Sequence, residues 1–227
     1  MARHGKQYRA VKEKAPTETQ TVEDAVAFLK ENKTAKFDET LEICFRLGID
    51  PKKSEHAVRG TVSLPNGTGR DVRVIVFATG GAADAAREAG ADEVGNEELI
   101  EKVKGGWTDF DVAIATGETM KEVRKLGRVL GPRGLMPNPK TGTVTEDTGT
   151  AVQQAKAGKV EFRMDRHGNI NVPFGKASFE VTALVENAEA VVGAVKAERP
   201  SGAKGIYIKN CTVTSTMGVG LRVNVRD

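Results

Sequence analysis

The chain has 227 residues, of which 39% are hydrophobic and 29% are charged, as is ordinary for a globular protein of one large or two small domains. No apolar run approaches the roughly 18 residues of a membrane span, and the basic N-terminal stretch lacks the apolar core of a secretory signal, so the sequence predicts a cytoplasmic protein with no membrane partner. The two cysteines, Cys44 and Cys211, lack metal-ligand spacing and are expected to be reduced thiols.

The net charge of +3 is small, but the charges are segregated along the chain. The stretch from Asp84 to Glu118 contains ten acidic and three basic residues, whereas the stretch from Lys121 to Lys140 contains six basic residues and one acidic residue. The stretch from Arg3 to Lys14 is also basic. Segregated charge indicates surfaces that have different partners, although a solvated charged face explains the same pattern equally well.

The first third of the chain predicts one helix followed by strands. Thr21 can cap a helix from Val22 to about Asn32. The stretch "KFDETLEICFRLGID" alternates, which predicts a half-buried strand in an antiparallel type of sheet, with Leu41, Ile43, Phe45 and Leu47 on one face. Two further strand-like runs flank the turn signal at residues 65–67.

From Val72 onward, short apolar strands alternate with helices. The strands lie in "VRVIVFATGG", "ADEVG" and "DFDVAIAT", and the last of the following helices is predicted over "ETMKEVRKLGRVL". This alternation is typical of βαβ units on a parallel sheet, so it predicts a three-layer α/β, Rossmann-like domain. The adjoining stretch "GRVLGPRGLMPNPKTGTV", Gly127 to Val144, holds four glycines and three prolines, a density that argues against a regular helix or a central strand.

After about Lys159 the antiparallel character returns. The runs "KVEFRM" and "NINVPF" alternate around residues 165–168 and predict a hairpin. Ser178 is expected to cap a long helix that ends near Arg199, before Pro200. The chain then shows two strand-like runs around Met217 and Gly218.

The first and last thirds combine helices with antiparallel-type strands, whereas the middle third alternates short apolar strands with helices. The predicted fold class is therefore α+β with two domains. A two-layer α+β domain is formed by both termini, residues 1–67 and 159–227, and a three-layer α/β domain, residues 68–158, is inserted into it. The two crossings near Thr68 and Gly158 predict a hinge.

The sequence gives no specific support for catalysis. The turn at Gly80 and Gly81 lacks both the G-x-G-x-x-G pattern and the Gly-Lys-Ser/Thr ending of a phosphate loop. The three histidines, His4, His56 and His167, have no partner at triad or metal-ligand spacing. We therefore expect no catalytic residue, no metal and no cofactor, and keep a nucleotide-binding enzyme that uses the α/β insert as the alternative.

Three polar, loop-like segments of the terminal domain have the residue types of an RNA site: "NKTAKFDET", "EFRMDRHGN" and "TSTMGVG". Arginine can bind a phosphate or base with two hydrogen bonds, Phe and Met offer apolar surface to a base or ribose, and hydroxyls can pair with a ribose 2′-OH. For any one segment alone, an exposed turn, a core Phe or a strand Met explains the residues as well. A nonspecific nucleic-acid chaperone is a third hypothesis.

The segment "MKEVRKLGRVLGPRGLMPNPKTGTV", Met120 to Val144, resembles the signature of the bacterial form of the large-subunit ribosomal protein one family, the proteins of the mobile stalk beside the tRNA exit site. The likeness extends to "KFDETLEICFRLGID", "VRGTVSLPNGTG", "KVEFRMDRHGNI" and "AKGIYIKNCTVTSTMGVG", and so covers nearly the whole chain.

This resemblance implies a function in RNA binding. The terminal domain would bind 23S rRNA directly, the stalk would assist release of deacylated exit-site tRNA, and the protein would repress translation of its own operon by binding its mRNA. The resemblance also implies a cytoplasmic, ribosomal location and a monomer when free. The residues implied to contact rRNA and mRNA are Lys36, Phe37, Asp38, Glu39, Thr40, Phe162, Arg163, Asp165, Arg166, His167, Gly168, Ser215, Thr216, Met217 and Gly218.

The basic residues of the signature segment suggest a secondary contact with stalk RNA or with tRNA, while a purely structural role for this loop is equally open. These residues are Lys121, Arg124, Lys125, Arg128, Arg133 and Lys140.

Overall fold

The computed structural model describes residues 5–51, 53 and 56–225, so that Arg3 and His4 lie outside the described residues. The chain divides into two compact units. The terminal unit comprises the chain up to Gly69 and from Val160 onward, and the inserted unit comprises Arg70–Lys159. Among the described helices, none has the length and apolar character to cross a membrane.

The nine strands of the described residues are β1 (Thr40–Leu47), β2 (Arg59–Ser63), β3 (Val74–Phe77), β4 (Glu93–Gly95), β5 (Val112–Ala115), β6 (Lys159–Arg163), β7 (Asn169–Lys176), β8 (Ile208–Ser215) and β9 (Leu221–Arg222). The α-helices are α1 (Lys6–Lys14), α2 (Val22–Glu31), α3 (Gly81–Glu88), α4 (Glu97–Lys104), α5 (Met120–Val123), α6 (Gly127–Leu130), α7 (Thr148–Lys156) and α8 (Val181–Ala197).

The terminal unit is an antiparallel sheet with helices on one face, in strand order β7-β1-β8-β9. Every second residue of β1 is buried, as the alternation predicts, and these side chains lie in one core with residues of α2 and α8. The opposite face of β1 remains partly or fully exposed. Strands β2 and β6 form a separate two-stranded sheet that adds Val62 and Phe162 to the same core.

The long helices confirm one predicted cap and correct another. Thr21 caps α2 as expected, because its hydroxyl oxygen accepts a hydrogen bond from the Asp24 backbone N–H at 3.1 Å. Ser178 does not cap α8, which begins three residues later, at Val181. Its backbone N–H and hydroxyl instead donate to the carboxylate of Asp38, at 3.0 and 2.7 Å, so a tertiary contact takes the place of the local cap.

The predicted hairpin around residues 165–168 is wrong in its pairing. The turn exists, since the Asp165 carboxylate accepts from the backbone N–H groups of His167 and Asn169, both at 2.8 Å. However, β6 before it pairs with β2, and β7 after it pairs with β1. Alternation predicts that a strand exists but leaves its partner open, and here each strand finds a partner distant in the sequence.

The inserted unit is a parallel three-stranded sheet in the order β4-β3-β5. All four residues of β3 are buried, because helices cover both faces. Ile75 and Phe77 pack in one cluster with residues of α4 and α6, while Val74 and Val76 pack in another with residues of α3 and α7. This is the three-layer arrangement that the alternating strands and helices predict.

The predicted helix over "ETMKEVRKLGRVL" is interrupted. It consists of α5, a 3-10 turn at Arg124–Leu126 and α6, which begins at Gly127. Glycine weakens a helix at this point, and Leu126 has a ψ of 0°, outside the regular α-helical value. The four residues of α6 end the predicted helix and begin the Gly- and Pro-rich stretch, so the helix prediction is confirmed there and the density of Gly and Pro does not exclude a short helix. Residues 131–144 form no α-helix, as that density predicts. The sequence also did not predict α1 or α7.

Candidate nucleic-acid interface

Two of the three predicted RNA-binding segments lie side by side at one end of the terminal sheet. Strands β1 and β8 are antiparallel and pair Leu41 with Ser215, so the start of β1 meets the end of β8. The Thr40 backbone N–H donates to Thr216 Oγ1 at 3.0 Å, and the Thr216 N–H donates to the Thr40 carbonyl at 3.1 Å. The segments Lys36–Thr40 and Ser215–Gly218 therefore form one surface, called here the Phe37–Met217 surface.

This surface carries exposed apolar side chains. Three large hydrophobic side chains are exposed in the described part of the chain, Phe37 at 53%, Met217 at 57% and Ile206 at 68%, and two of the three belong to this surface. Lys36 and Thr216 beside them are also exposed. A ring, a thioether, a cation and a hydroxyl are thus available to a ligand at one place.

Two residues of these segments point inward instead. Glu39 is 1% exposed and Ser215 is 6% exposed, and the Ser215 hydroxyl donates to Glu39 Oε2. The other oxygen, Oε1, accepts from the Ala35 backbone N–H at 2.9 Å. Burial would raise the pKa of the Glu39 carboxyl, but hydrogen bonds from Ser215 and from the backbone of Ala35, Met217 and Thr34 lower this pKa below its ordinary value.

The third predicted segment, Phe162–Gly168, lies at the opposite end of β1. The Leu47 backbone N–H donates to the Gly168 carbonyl at 2.8 Å, and Arg46 pairs with Asn169. At about 3.3 Å per residue, this end of β1 lies roughly 23 Å from Thr40. The three segments therefore do not form one compact site.

The residues of this third segment have different environments. Phe162 is 1% exposed and packs in the core, so its ring is not available to a ligand. Arg163, Arg166 and His167 are exposed. Burial would raise the pKa of Asp165, but hydrogen bonds from Asn169 and His167 lower it, in keeping with a carboxylate that shapes the turn.

The predicted secondary contact lies wholly in the inserted unit, and all six of its basic residues are exposed. Lys125 pairs with Glu122 at 2.6 Å, and the Arg133 guanidinium donates to the Thr108 hydroxyl. Among the described residues, no ion pair involves the other four, Lys121, Arg124, Arg128 and Lys140. The loop that carries Lys140 is tightened by Asn138, whose Oδ1 accepts from the Lys140 backbone N–H at 2.9 Å.

Two residues that the sequence does not assign to RNA binding, Lys176 and Ser178, support the Phe37–Met217 surface. The Lys176 ammonium donates to Thr40 Oγ1 at 2.8 Å, and Ser178 binds Asp38 as described above. Their role depends on the pairing of β7 with β1, which brings Lys176 next to Thr40 although the two are 136 positions apart in the sequence. No pattern in the neighbouring residues predicts this contact. Within the described residues, no group of three or more His, Cys, Asp or Glu side chains is arranged to hold a metal ion.

Comparison with known proteins gives two agreeing results. Residues 29–219 match the model of the ribosomal protein L1p/L10e family. The chain is also 53% identical over 207 residues to the large ribosomal subunit protein uL1 of Protochlamydia amoebophila (strain UWE25), an alignment that covers 91% of this chain and 88% of that protein.

Proposed function

This chain belongs to the ribosomal protein L1p/L10e family and is a protein of the large ribosomal subunit, and from that premise we propose that its terminal unit binds 23S rRNA directly. The family consists of structural ribosomal proteins without enzymatic activity, so the alternative of a nucleotide-binding enzyme is set aside. Membership also assigns the chain to the cytoplasmic ribosome.

The observation that carries the proposal is the exposure of Phe37 and Met217 on adjoining loops of the terminal unit. An unstacked base can rest on the flat ring of Phe37 or on the soft thioether of Met217. Thr216 can exchange its hydrogen bond to Thr40 for one to a ribose 2′-OH, and Lys36 can neutralise a phosphate. Stacking together with 2′-OH contacts favours RNA over DNA.

A second rRNA contact at the other end of the sheet completes the proposed interface. Arg163, Arg166 and His167 supply donors there, whereas Phe162 and Asp165 support the local structure. Two contacts roughly 23 Å apart along a strand suit a folded RNA better than a short single strand. We therefore propose that the terminal unit recognises the shape of an rRNA fold.

Three further roles are proposed from family membership. The same terminal surface would bind the protein's own operon mRNA and so repress its translation. The unpaired cations of the inserted unit would contact stalk RNA or exit-site tRNA during release of deacylated tRNA, with Thr68 and Gly158 as the hinge. The free protein would be a monomer.

A gel-shift titration with a fragment of 23S rRNA at fixed salt tests the main proposal. Thr216→Ala is expected to raise the dissociation constant about tenfold, because it removes the hydroxyl that links the two loops and faces the RNA. Thr17→Ala, at another exposed threonine of the same unit, is the matched control and should leave binding unchanged. An unchanged dissociation constant for Thr216→Ala would contradict the site assignment.

A further inference from the structure

A buried carboxylate lies between the two loops of the Phe37–Met217 surface. Glu39 reaches Ser215 and the backbone of Met217 on one side, and the backbone of Ala35 and Thr34 on the other. Each of these groups flanks or belongs to a loop that exposes an apolar side chain. The carboxylate is therefore the common acceptor for two segments that are about 176 positions apart in the sequence.

Burying this charge is costly unless hydrogen bonds compensate for the lost water. Glu39 has no ion-pair partner among the described residues, so hydrogen bonds from the two loops provide the compensation. An ionised carboxylate only accepts hydrogen bonds, and it has room for about four. Each loop must therefore keep its donors directed at Glu39 for the carboxylate to remain satisfied.

We propose that Glu39 is a positioning residue for RNA binding, which touches no RNA and fixes the loops so that Phe37 and Met217 stay presented to the ligand. This inference rests on the proposed binding of 23S rRNA. Two exposed apolar side chains on free loops would collapse onto the protein or sample many conformations, and binding would then have to order them. Loops that are held before binding avoid that entropic cost.

Gly218 packs against the same Ser215 hydroxyl that Glu39 holds. A Cβ atom added at Gly218 would lie 2.3 Å from Ser215 Oγ and 3.4 Å from Leu29 Cδ2. The Ser215 hydroxyl is held by Glu39, so it cannot move aside without breaking that hydrogen bond. The close packing of Gly218 on Ser215 therefore depends on where the carboxylate holds the hydroxyl.

The decisive variant is Glu39→Gln, which keeps the size of the side chain and replaces one acceptor oxygen with a donor. The new NH₂ group would face backbone donors, so we expect the loops to loosen and the dissociation constant for a 23S rRNA fragment to rise about tenfold. The slope of log Kd against log salt should not change, because no phosphate contact is removed. Glu189→Gln, at an exposed position of α8, makes the same change in charge and should bind as the wild type does.

A double-mutant cycle separates positioning from general destabilisation. If Glu39 acts through Phe37, then Phe37→Ala should cost markedly less affinity in the Glu39→Gln background than in the wild type. Additive effects would overturn the inference. Should Glu39→Gln fail to fold, Ser215→Ala removes one donor to the same carboxylate and enters the same cycle.

The outcomes distinguish this inference from the proposed function. If the wild-type chain fails to bind the 23S rRNA fragment, the proposed function fails. If the wild type binds, and the folded Glu39→Gln and Gly218→Ala variants bind equally well, the function stands and the positioning role is overturned.

Discussion

The terminal unit exposes Phe37, Met217 and Ile206, whereas the inserted unit exposes no large hydrophobic side chain among its described residues. Exposed cations without an ion-pair partner among the described residues lie on both units, for example Arg166 on the terminal unit and Arg124 and Arg128 on the inserted unit. Apolar side chains bind by stacking and shape, while solvated cations bind phosphates with strong salt dependence. If both units contact RNA as proposed, the terminal unit would make selective as well as electrostatic contacts, and the inserted unit would make largely electrostatic ones.

The two cores explain this difference. The antiparallel sheet of the terminal unit packs helices on one face only and leaves residues such as Glu42 and Arg46 of β1 exposed on the other. The parallel sheet of the inserted unit is covered on both faces, so only its loops and helix surfaces are free. A sheet covered on one side leaves a face for recognition, and a sheet covered on both sides does not.

The largest expected effect is on stability, and it separates the two cores. Phe45 of β1 and Phe77 of β3 are both fully buried, and replacing either with alanine should cost about 3–5 kcal/mol in its own unit. Trp107, the single tryptophan, lies in the inserted unit, so its fluorescence follows that unit alone, while circular dichroism follows both.

In urea titrations, Phe77→Ala should therefore lower the midpoint of the Trp107 transition. In a separate gel-shift titration without urea, the same variant should bind the rRNA fragment nearly as the wild type does. Phe45→Ala should leave the Trp107 transition in place and abolish binding. Loss of both signals in both variants would show that the two units unfold as one, and the comparison between them would break down.

A smaller effect is expected from the exposed side chains. Phe37→Ala and Met217→Ala should each raise the dissociation constant for the rRNA fragment about 10- to 100-fold, because stacking on a base contributes about 1–3 kcal/mol. Ile206→Ala removes an even more exposed apolar side chain near the other end of the sheet, and it should change the dissociation constant less than about twofold, since Ile206 offers no flat face to a base. A larger effect of Ile206→Ala would indicate that the RNA contacts apolar side chains at that end of the sheet instead.

Much of the fold could be predicted because its signals are local. Thr21 precedes an apolar helix stripe, and the alternation from Leu41 to Leu47 reports one buried face, so α2 and β1 follow from neighbouring residues. The partner of β6 could not be predicted, because pairing joins residues that are distant in the sequence and alternation carries no information about which edge is available.

The candidate site shows the same limit. Phe37 and Phe162 both lie in polar segments, yet one is exposed and the other is buried. The alternation of Val160 and Phe162 in β6 with Met164 just after it indicated that Phe162 faces the core. Glu39 lies two residues before Leu41, in phase with the buried face of β1, so alternation was a signal for its burial as well. Its partners could not be predicted, because the β1–β8 pairing brings Ser215 and Met217 near from the other end of the chain.

The stability that Glu39 provides should depend on pH in a defined direction. Its pKa is lowered in the folded state from the ordinary value of 4.5, so its contribution is fully present above that value and is lost as the pH falls through the lower, folded pKa. The free energy of unfolding of the terminal unit should thus differ most between the wild type and Glu39→Gln at neutral pH, and this difference should shrink below pH 4.5. A difference that grows on acidification would mean that folding raises the pKa of this carboxyl, which would contradict the proposed hydrogen bonds to its ionised form.

The smallest effect is expected from removing the inserted unit. Replacement of residues 71–157 by a short Gly-Ser bridge should leave a folded protein that binds the rRNA fragment within about threefold of the wild type, since the terminal core contains no residue of the deleted segment. The chain before the deletion is held by the terminal unit itself. The side chain of Asn187, fully buried in α8, accepts from the Asn66 backbone N–H and donates to the Gly67 carbonyl, both at 3.0 Å. A deletion product that folds but no longer binds would assign part of rRNA recognition to the inserted unit, and the selective and electrostatic roles would then not divide between the two units.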